Sequence, residues 1–256
     1  MTAVERPCPG QQATGIGYTW GVRLDSRRSE SSTFARHTLR QTLLSIPWLA
    51  AWTAATVAIA ACGGAEASPQ EKAMEAYELG QERQEHANLA GAFDAYTLAI
   101  QLDPQMAEAY SYRGYVYYRY NQLDSAISDL NRAIDLDPDL ASAYHHRGLV
   151  MASQELVDDG ILSFTRAIQL DSTLQDAYYQ RARLNYRLED FDAVIDDLSA
   201  AIELDPQSER FYMLRGQVYL IIDEPGLAIP DLERVIAISE NEDLVVAAKQ
   251  LLSMAR

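Results

Sequence analysis

The chain has 256 residues, 48% of them apolar and 23% charged, a globular balance with material for one or two domains. Its net charge of −16 excludes nucleic-acid binding through a broad basic face, which needs clustered Lys and Arg. Only Cys8 and Cys62 occur, which excludes a disulfide framework and a four-Cys zinc site. The charge is unevenly divided. Residues 1–61 carry six basic and three acidic residues, a net of +3, and residues 62–256 carry 15 basic and 34 acidic, a net of −19.

Residues 1–40 are rich in Arg, Ser, Thr, Gly and Gln, show no apolar period and read as a disordered basic region. Residues 41–61 follow, with an uncharged run over 43–61 placed just after Arg36 and Arg40, the layout of a secretory signal. The run ends Ile59-Ala60-Ala61-Cys62-Gly63-Gly64, which resembles the bacterial lipobox. That resemblance implies that the Cys62 thiol takes a diacylglyceryl group and that the mature chain has 195 residues. Two other readings stay open. The run 43–61 could remain as an uncleaved anchor, since a spanning helix needs about 20 apolar residues, although Pro47 weakens it. Cys62 could also be incidental to a membrane segment. Lipid or anchor alike places residues 63–256 outside the cytoplasm, at a bacterial cell envelope. Forty residues are long for a region preceding such a signal, which leaves open a start further along, at Val22 or Leu24. Residues 62–72 read as the lipidated Cys and a short tether.

The body repeats. "LDP" stands at 102–104, 136–138 and 204–206, spaced by 34 and 68, and LDS fills the skipped position at 170–172. This divides the chain into 73–106, 107–140, 141–174, 175–208 and 209–242 without insertions. Place 8 of the units holds Gly80, Gly114, Gly148, Ala182 and Gly216, and place 28 is Ile in all five. Place 4 is Tyr110, Tyr144, Tyr178 and Tyr212 in units two to five. Small residues at places 8, 20 and 27 let two helices approach, and large ones at 4, 24 and 28 fill between them. Pro at place 32 stops the second helix. Each unit is therefore expected to be an antiparallel helix pair that must stack on its neighbours.

These columns resemble the tetratricopeptide repeat family, over 170 of the 256 residues. Tyr stands where the family has Trp at place 4, and Arg113, Arg147, Arg181 and Arg215 replace Leu at place 7. The fold class expected is all-α, a right-handed α-solenoid of five 34-residue helix-turn-helix repeats plus a capping helix at 243–256. Leu244, Val245, Ala248, Leu251 and Leu252 form the apolar stripe of that cap. Pro225 and Pro230 are expected to kink or delay the last second helix.

Asp129, Asp197 and Asp231 at place 23 match Arg113, Arg181 and Arg215, which predicts a structural Arg–Asp bridge inside each hairpin; unit three has Ser163 instead. His145 and His146 are adjacent, so they point apart on a helix and lack the spacing of metal ligands, and no nearby carboxylate fits them. No nucleophile elbow, phosphate-cradling loop or zinc-protease motif occurs. The expectation is a protein that is not an enzyme, with no cofactor, no metal and no small-molecule substrate.

The family resemblance implies a concave groove lined by places 2, 5, 9 and 12 of each first helix. Those places carry Ser111, Tyr115 and Tyr118, with Arg119 beside them, then His145, then Tyr179, Arg183 and Tyr186, then Arg210. Met213 also falls at a groove place. Tyr and Arg are the residues most often found as binding hot spots. The Lys and Asn series with which chaperone-binding members hold a terminal carboxylate is absent from the groove places. The function expected is a membrane-tethered adaptor binding an extended or helical protein segment, in the manner of type IV pilotins, protease adaptors or outer-membrane assembly subunits. The alternative is a self-assembling envelope scaffold, which light scattering would reveal as an oligomer.

Overall fold

The computed structural model describes residues 67–256; the basic region 1–40, the apolar run within 41–61 and Cys62 lie outside the described residues. Among the described residues there are eleven helices and no strand. They form five antiparallel pairs and a final single helix. The pairs are α1 (Pro69–Glu85) with α2 (Leu89–Leu102), and α3 (Ala107–Arg119) with α4 (Leu123–Leu136). Then come α5 (Ala141–Ser153) with α6 (Val157–Leu170), α7 (Gln175–Arg187) with α8 (Phe191–Leu204), and α9 (Glu209–Ile221) with α10 (Pro225–Ile238). The final helix is α11 (Glu242–Ala255).

The 34-residue period fixes the hairpins. Every second helix spans places 17–30, and first helices two to five span places 1–13. α1 departs from the register by beginning four residues early. Ser68 accepts a bond from the Glu71 amide at 3.2 Å, and the Glu71 carboxylate accepts one from the Ser68 amide at 2.7 Å. This capping box, with Pro69 as the first helical residue, sets the start at 69 and shortens the expected tether to residues 63–68.

Place 8 meets place 24 inside each pair. A Cβ on Gly148 would lie 2.7 Å from the Phe164 ring, and one on Gly114 would lie 2.9 Å from Leu130 Cγ. Tyr96 fills the same role opposite Gly80. Tyr96, Leu130, Phe164, Leu198 and Leu232, all at place 24, are fully buried. The small residue thus admits the large one, and the hairpin closes.

Both kinds of turn are built without glycine. Place 15 holds the left-handed residues Ala87, Asn121, Glu155, Glu189 and Asp223, with φ between 56° and 63°. The next amide reaches back to place 11, as in Gln122 N–H to Tyr117 O (2.9 Å) and Glu224 N–H to Tyr219 O (2.8 Å), which is the Schellman closure. Between units, the Asp of each "LD" pair accepts the amide two residues on: Asp103 from Gln105 (2.9 Å), Asp137 from Asp139 (3.0 Å), Asp205 from Gln207 (3.0 Å). Asp171 does the same with Thr173 at 2.9 Å, so the turn survives Ser172 in place of Pro.

The expected bridges are present. Arg113, Arg181 and Arg215 each grip Asp129, Asp197 and Asp231 with two nitrogens, at 2.6–3.0 Å. In unit three Arg147 Nε donates to Ser163 Oγ at 3.2 Å. Arg181 and Arg215 also donate to Thr165 (3.0 Å) and Ser199 (2.9 Å) of the preceding unit. One side chain therefore joins a hairpin within itself and to its neighbour. Burial pushes the Asp197 carboxyl above its usual range against the opposing pull of Arg181.

The expectation for Pro225 and Pro230 is corrected. α10 starts in register, because Pro225 is its first residue and needs no N–H there. The helix continues through Pro230. The carbonyl that loses its donor belongs to Gly226, which is exposed, while Ala228, Asp231, Leu232 and Val235 stay buried on the other side. α11 then covers this last pair. Leu244, Ala248, Leu251 and Leu252 pack with Met213, Leu232 and Val235.

Candidate functional site: the inner face

The first helices of neighbouring units touch directly, and the side chains between them form the inner face. Place 5 of one unit meets place 2 of the next, 31 residues on. Ser111 Oγ lies 3.3 Å from Ser142 Oγ, and His145 Nε2 lies 3.1 Å from Asp176 Oδ2. Asp176 Oδ1 also accepts Arg210 Nη2 at 3.0 Å. Burial pushes the Asp176 carboxyl up, but His145 and Arg210 together hold it below its usual range. Arg210 in turn lies over the rings of Tyr179 (4.7 Å) and Phe211 (4.9 Å). A polar rail thus crosses α5, α7 and α9.

An aromatic floor lies toward the N-terminal end. Tyr77 and Tyr96 both pack on Tyr112, at 5.6 and 5.7 Å between ring centres. Tyr112 meets His146 edge-on at 5.2 Å, and Tyr115 covers the same imidazole at 4.8 Å. Burial raises the Tyr77 and Tyr96 hydroxyls, which keeps them protonated. Burial and the adjacent His145 bring His146 down to about 3, while its Nδ1 lies 3.0 Å from Ser111 Oγ.

That neutral imidazole has a consequence for stability. Its folded pKa lies below the unfolded value near 6.5, so only the unfolded chain takes up the proton between these two values. Stability is fully present above pH 6.5 and falls as the pH drops toward 3, by up to about 1.4 kcal/mol per unit from this group alone. In His146→Asn, urea unfolding between pH 7 and 4 should show a flatter decline than the parent chain. Parallel declines would refute the assignment.

The structure divides the residues singled out in the sequence. Tyr115, Tyr118 and Arg119 form one cluster on α3, with Tyr115 and Tyr118 ring centres 6.0 Å apart and Arg119 donating to the Tyr115 hydroxyl at 3.2 Å. Tyr179, Arg183 and Tyr186 line a second, on α7, and Arg210 joins it from α9. His145 lies between the two clusters and belongs to the rail. Ser111 does not belong to an accessible groove: it is fully buried beneath the face, held by His146 and Ser142. Met213 is likewise buried, under α11. The reading that no carboxylate fits the His pair is also corrected, since Asp176 reaches His145 from the next unit.

The α7 cluster opens onto a cleft of about 300 Å³, lined by Ala152, Tyr179, Gln180, Arg183, Leu184, Tyr186, Arg187 and Leu214. The sequence reading missed Gln180, Leu184, Arg187 and Leu214 in the cleft, and Tyr77, Tyr96, Tyr112 and His146 in the floor. Gln180, Arg187, Leu214, Tyr112 and His146 fall at places 6 and 13, which neighbour the chosen places 5 and 12; Leu184 and Tyr96 come from core places 10 and 24, and Tyr77 from place 5 of the first unit. Ala152 leaves room where units two and four carry Tyr118 and Tyr186 at the same place. Among the described residues no group of three or more His, Cys, Asp or Glu side chains could hold a metal ion. No helix among them is long and apolar enough to cross a membrane.

Residues 117–155 match a TPR repeat family model, and residues 179–243 match a tetratricopeptide repeat model. No curated protein is significantly similar in sequence. Solved structures share the fold. YrrB, described as a TPR protein with an unusual peptide-binding site, is 21% identical, with 70% of this chain and 92% of that one covered and a TM-score of 0.54. PilF of Pseudomonas aeruginosa is 12% identical, with 73% and 90% covered and a TM-score of 0.63. MamA is 23% identical, with 62% and 93% covered and a TM-score of 0.54.

Proposed function

On the premise that the chain carries tetratricopeptide repeats, we propose that it is a non-catalytic adaptor which holds a segment of another protein along its inner face. The observation that carries this reading is the pairing of an aromatic–arginine cluster on α3 with an aromatic–arginine cleft on α7. Both lie on the first helices, in units two and four with unit three between them, as a chain laid along the solenoid would require. Tyr and Trp side chains give large contact area for little lost freedom, and Arg adds directional bonds. The rest of the face is already satisfied internally, through the rail and the floor.

The membrane part of the proposal rests on the sequence before α1. Lipid on Cys62, or retention of 43–61 as an anchor, would tether the solenoid at the bacterial cell envelope. Residues 63–68 can span at most about 22 Å, so the repeats would stay close to the bilayer. A body of net charge −19 would on balance be repelled by anionic lipid.

Two experiments test the parts separately. Replacing the exposed Arg119 and Arg183 together with Ala should strongly reduce crosslinked partner capture from membranes and leave helical circular dichroism unchanged. The tyrosines are spared because Tyr115 packs on His146 and Tyr118 and Tyr186 pack on the hairpin cores. Undiminished capture would sink the groove reading. Cys62→Ser should move the protein from the membrane fraction to the soluble one, and persistence in membranes would favour the uncleaved anchor.

A further inference from the structure

We propose that the cleft between α5, α7 and α9 takes an acidic side chain flanked by an apolar one, from an internal segment of the partner. The inference rests on the groove reading and names the chemistry that this end of the groove selects.

The floor and the rim of the cleft differ. Ala152, Leu184 and Leu214 present an apolar floor, and about 300 Å³ is enough for one large side chain rather than a sizeable free ligand. Arg183 and Arg187 stand at the rim, four residues apart and so on one side of α7. Among the described residues neither is paired with a carboxylate, whereas six of the other eleven arginines are: Arg113, Arg166, Arg181, Arg210, Arg215 and Arg256. Arg183 is nevertheless positioned. Its Nη1 donates to Gln180 Oε1 at 3.0 Å, and its guanidinium lies over Tyr179 at 5.9 Å. An arginine placed by neutral neighbours keeps its remaining donors for a ligand.

The charge pattern points the same way. The body carries 34 acidic and 15 basic residues. Yet places 2, 5, 6, 9, 12 and 13 of units three to five hold one acidic residue, Asp176, against Arg183, Arg187 and Arg210. Asp176 is already engaged with His145 and Arg210. The inner face of units three to five is therefore locally cationic on an acidic molecule, whereas the same places of units one and two hold Glu78, Glu85 and Glu108 against Arg119. An acidic segment is repelled by most of the body and attracted at this end of the face, which disfavours a basic segment.

The test uses the full chain in detergent and a random library of C-terminally amidated peptides, so that no terminal carboxylate is offered. Selected peptides should be enriched in Asp or Glu beside a large apolar residue. Their affinity should fall at least about tenfold in R183Q/R187Q, consistent with lost charge-assisted bonds, and should weaken with added salt. R183K/R187K keeps the charge and should retain the acidic preference, which separates charge recognition from a fold defect. Selection of apolar peptides without acidic enrichment would overturn the inference and leave the groove reading standing. Acidic enrichment that is unchanged in R183Q/R187Q would also overturn it. No selection at all would overturn both.

Discussion

Asp197→Ala should lower the unfolding free energy by about 3 kcal/mol, because the substitution strands the Arg181 guanidinium in a partly buried site. The Asp197 side chain is 6% exposed and that of Arg181 is 20% exposed, so neither is well hydrated in the fold. Arg181 would keep only Thr165 and the face of Tyr178. The protein itself contains the control. Unit three has Ser163 in the equivalent place, fully inside the hairpin, accepting from Arg147. A hydroxyl therefore satisfies the arginine's Nε without supplying a counter-charge. Asp197→Ser should accordingly lose clearly less than Asp197→Ala in urea titration. Equal losses would mean that the bond to place 23 contributes little and that packing holds the hairpin. Thr165→Val, by contrast, leaves the hairpin intact and should weaken only its attachment to unit three, since repeat proteins separate intrinsic from interfacial stability.

The contrast between bridge and rail explains how much the sequence disclosed. Arg181 and Asp197 lie 16 residues apart within one unit, and the same offset recurs in three units, so the pair is visible as matching columns. The Gly–Leu and Gly–Phe interlocks share that legibility. The rail runs between units. Ser111 with Ser142 and His145 with Asp176 are 31 apart, and Asp176 with Arg210 are 34 apart. Each pairing occurs once or twice with changing residue types, so no column announces it. That is why Ser111 read as a groove residue and the His pair read as lacking a carboxylate.

Local backbone features were hidden for a different reason. The left-handed residue at place 15 is Ala, Asn, Glu, Glu and Asp across the units, with no glycine to mark it. The closing amide bond and the packing of both helices hold these residues there, against an unfavourable intrinsic preference of about 1–2 kcal/mol each. α1 carried a readable start, Ser68-Pro69-Gln70-Glu71, but strict adherence to the 34-residue frame placed the boundary at 73 instead. For Pro230 the local rule pointed to a break. The buried face of α10 and the exposed Gly226 carbonyl make an unbroken helix affordable. Tyr118, Tyr179 and Tyr186 follow from the groove places that the family resemblance implies, and in the structure Tyr179 and Tyr186 line the cleft while Tyr118 stands beside Tyr115.

Gly148→Ala should destabilise the protein even though Ala is the better helix former by about 0.8–1 kcal/mol. The new Cβ would stand 2.7–2.8 Å from three atoms of the Phe164 ring. Phe164 is fully buried and cannot swing away, so α5 must move off α6, and overpacking of this kind costs about 1–3 kcal/mol. Unit four shows how the conflict is resolved, with Ala182 opposite the smaller Leu198. Phe164→Leu alone should also destabilise, by leaving a void opposite Gly148. The double change Gly148→Ala with Phe164→Leu recreates the unit-four pair and should be more stable than the two single losses added together predict. Gly216→Ala supplies the distance control. Its Cβ would lie 3.2 Å from Leu232, a flexible aliphatic chain that can shift by a few tenths of an ångström, so the helix gain should offset the strain. If Gly148→Ala and Gly216→Ala had the same effect on the urea midpoint, ring contact would not be what sets the size of place 8.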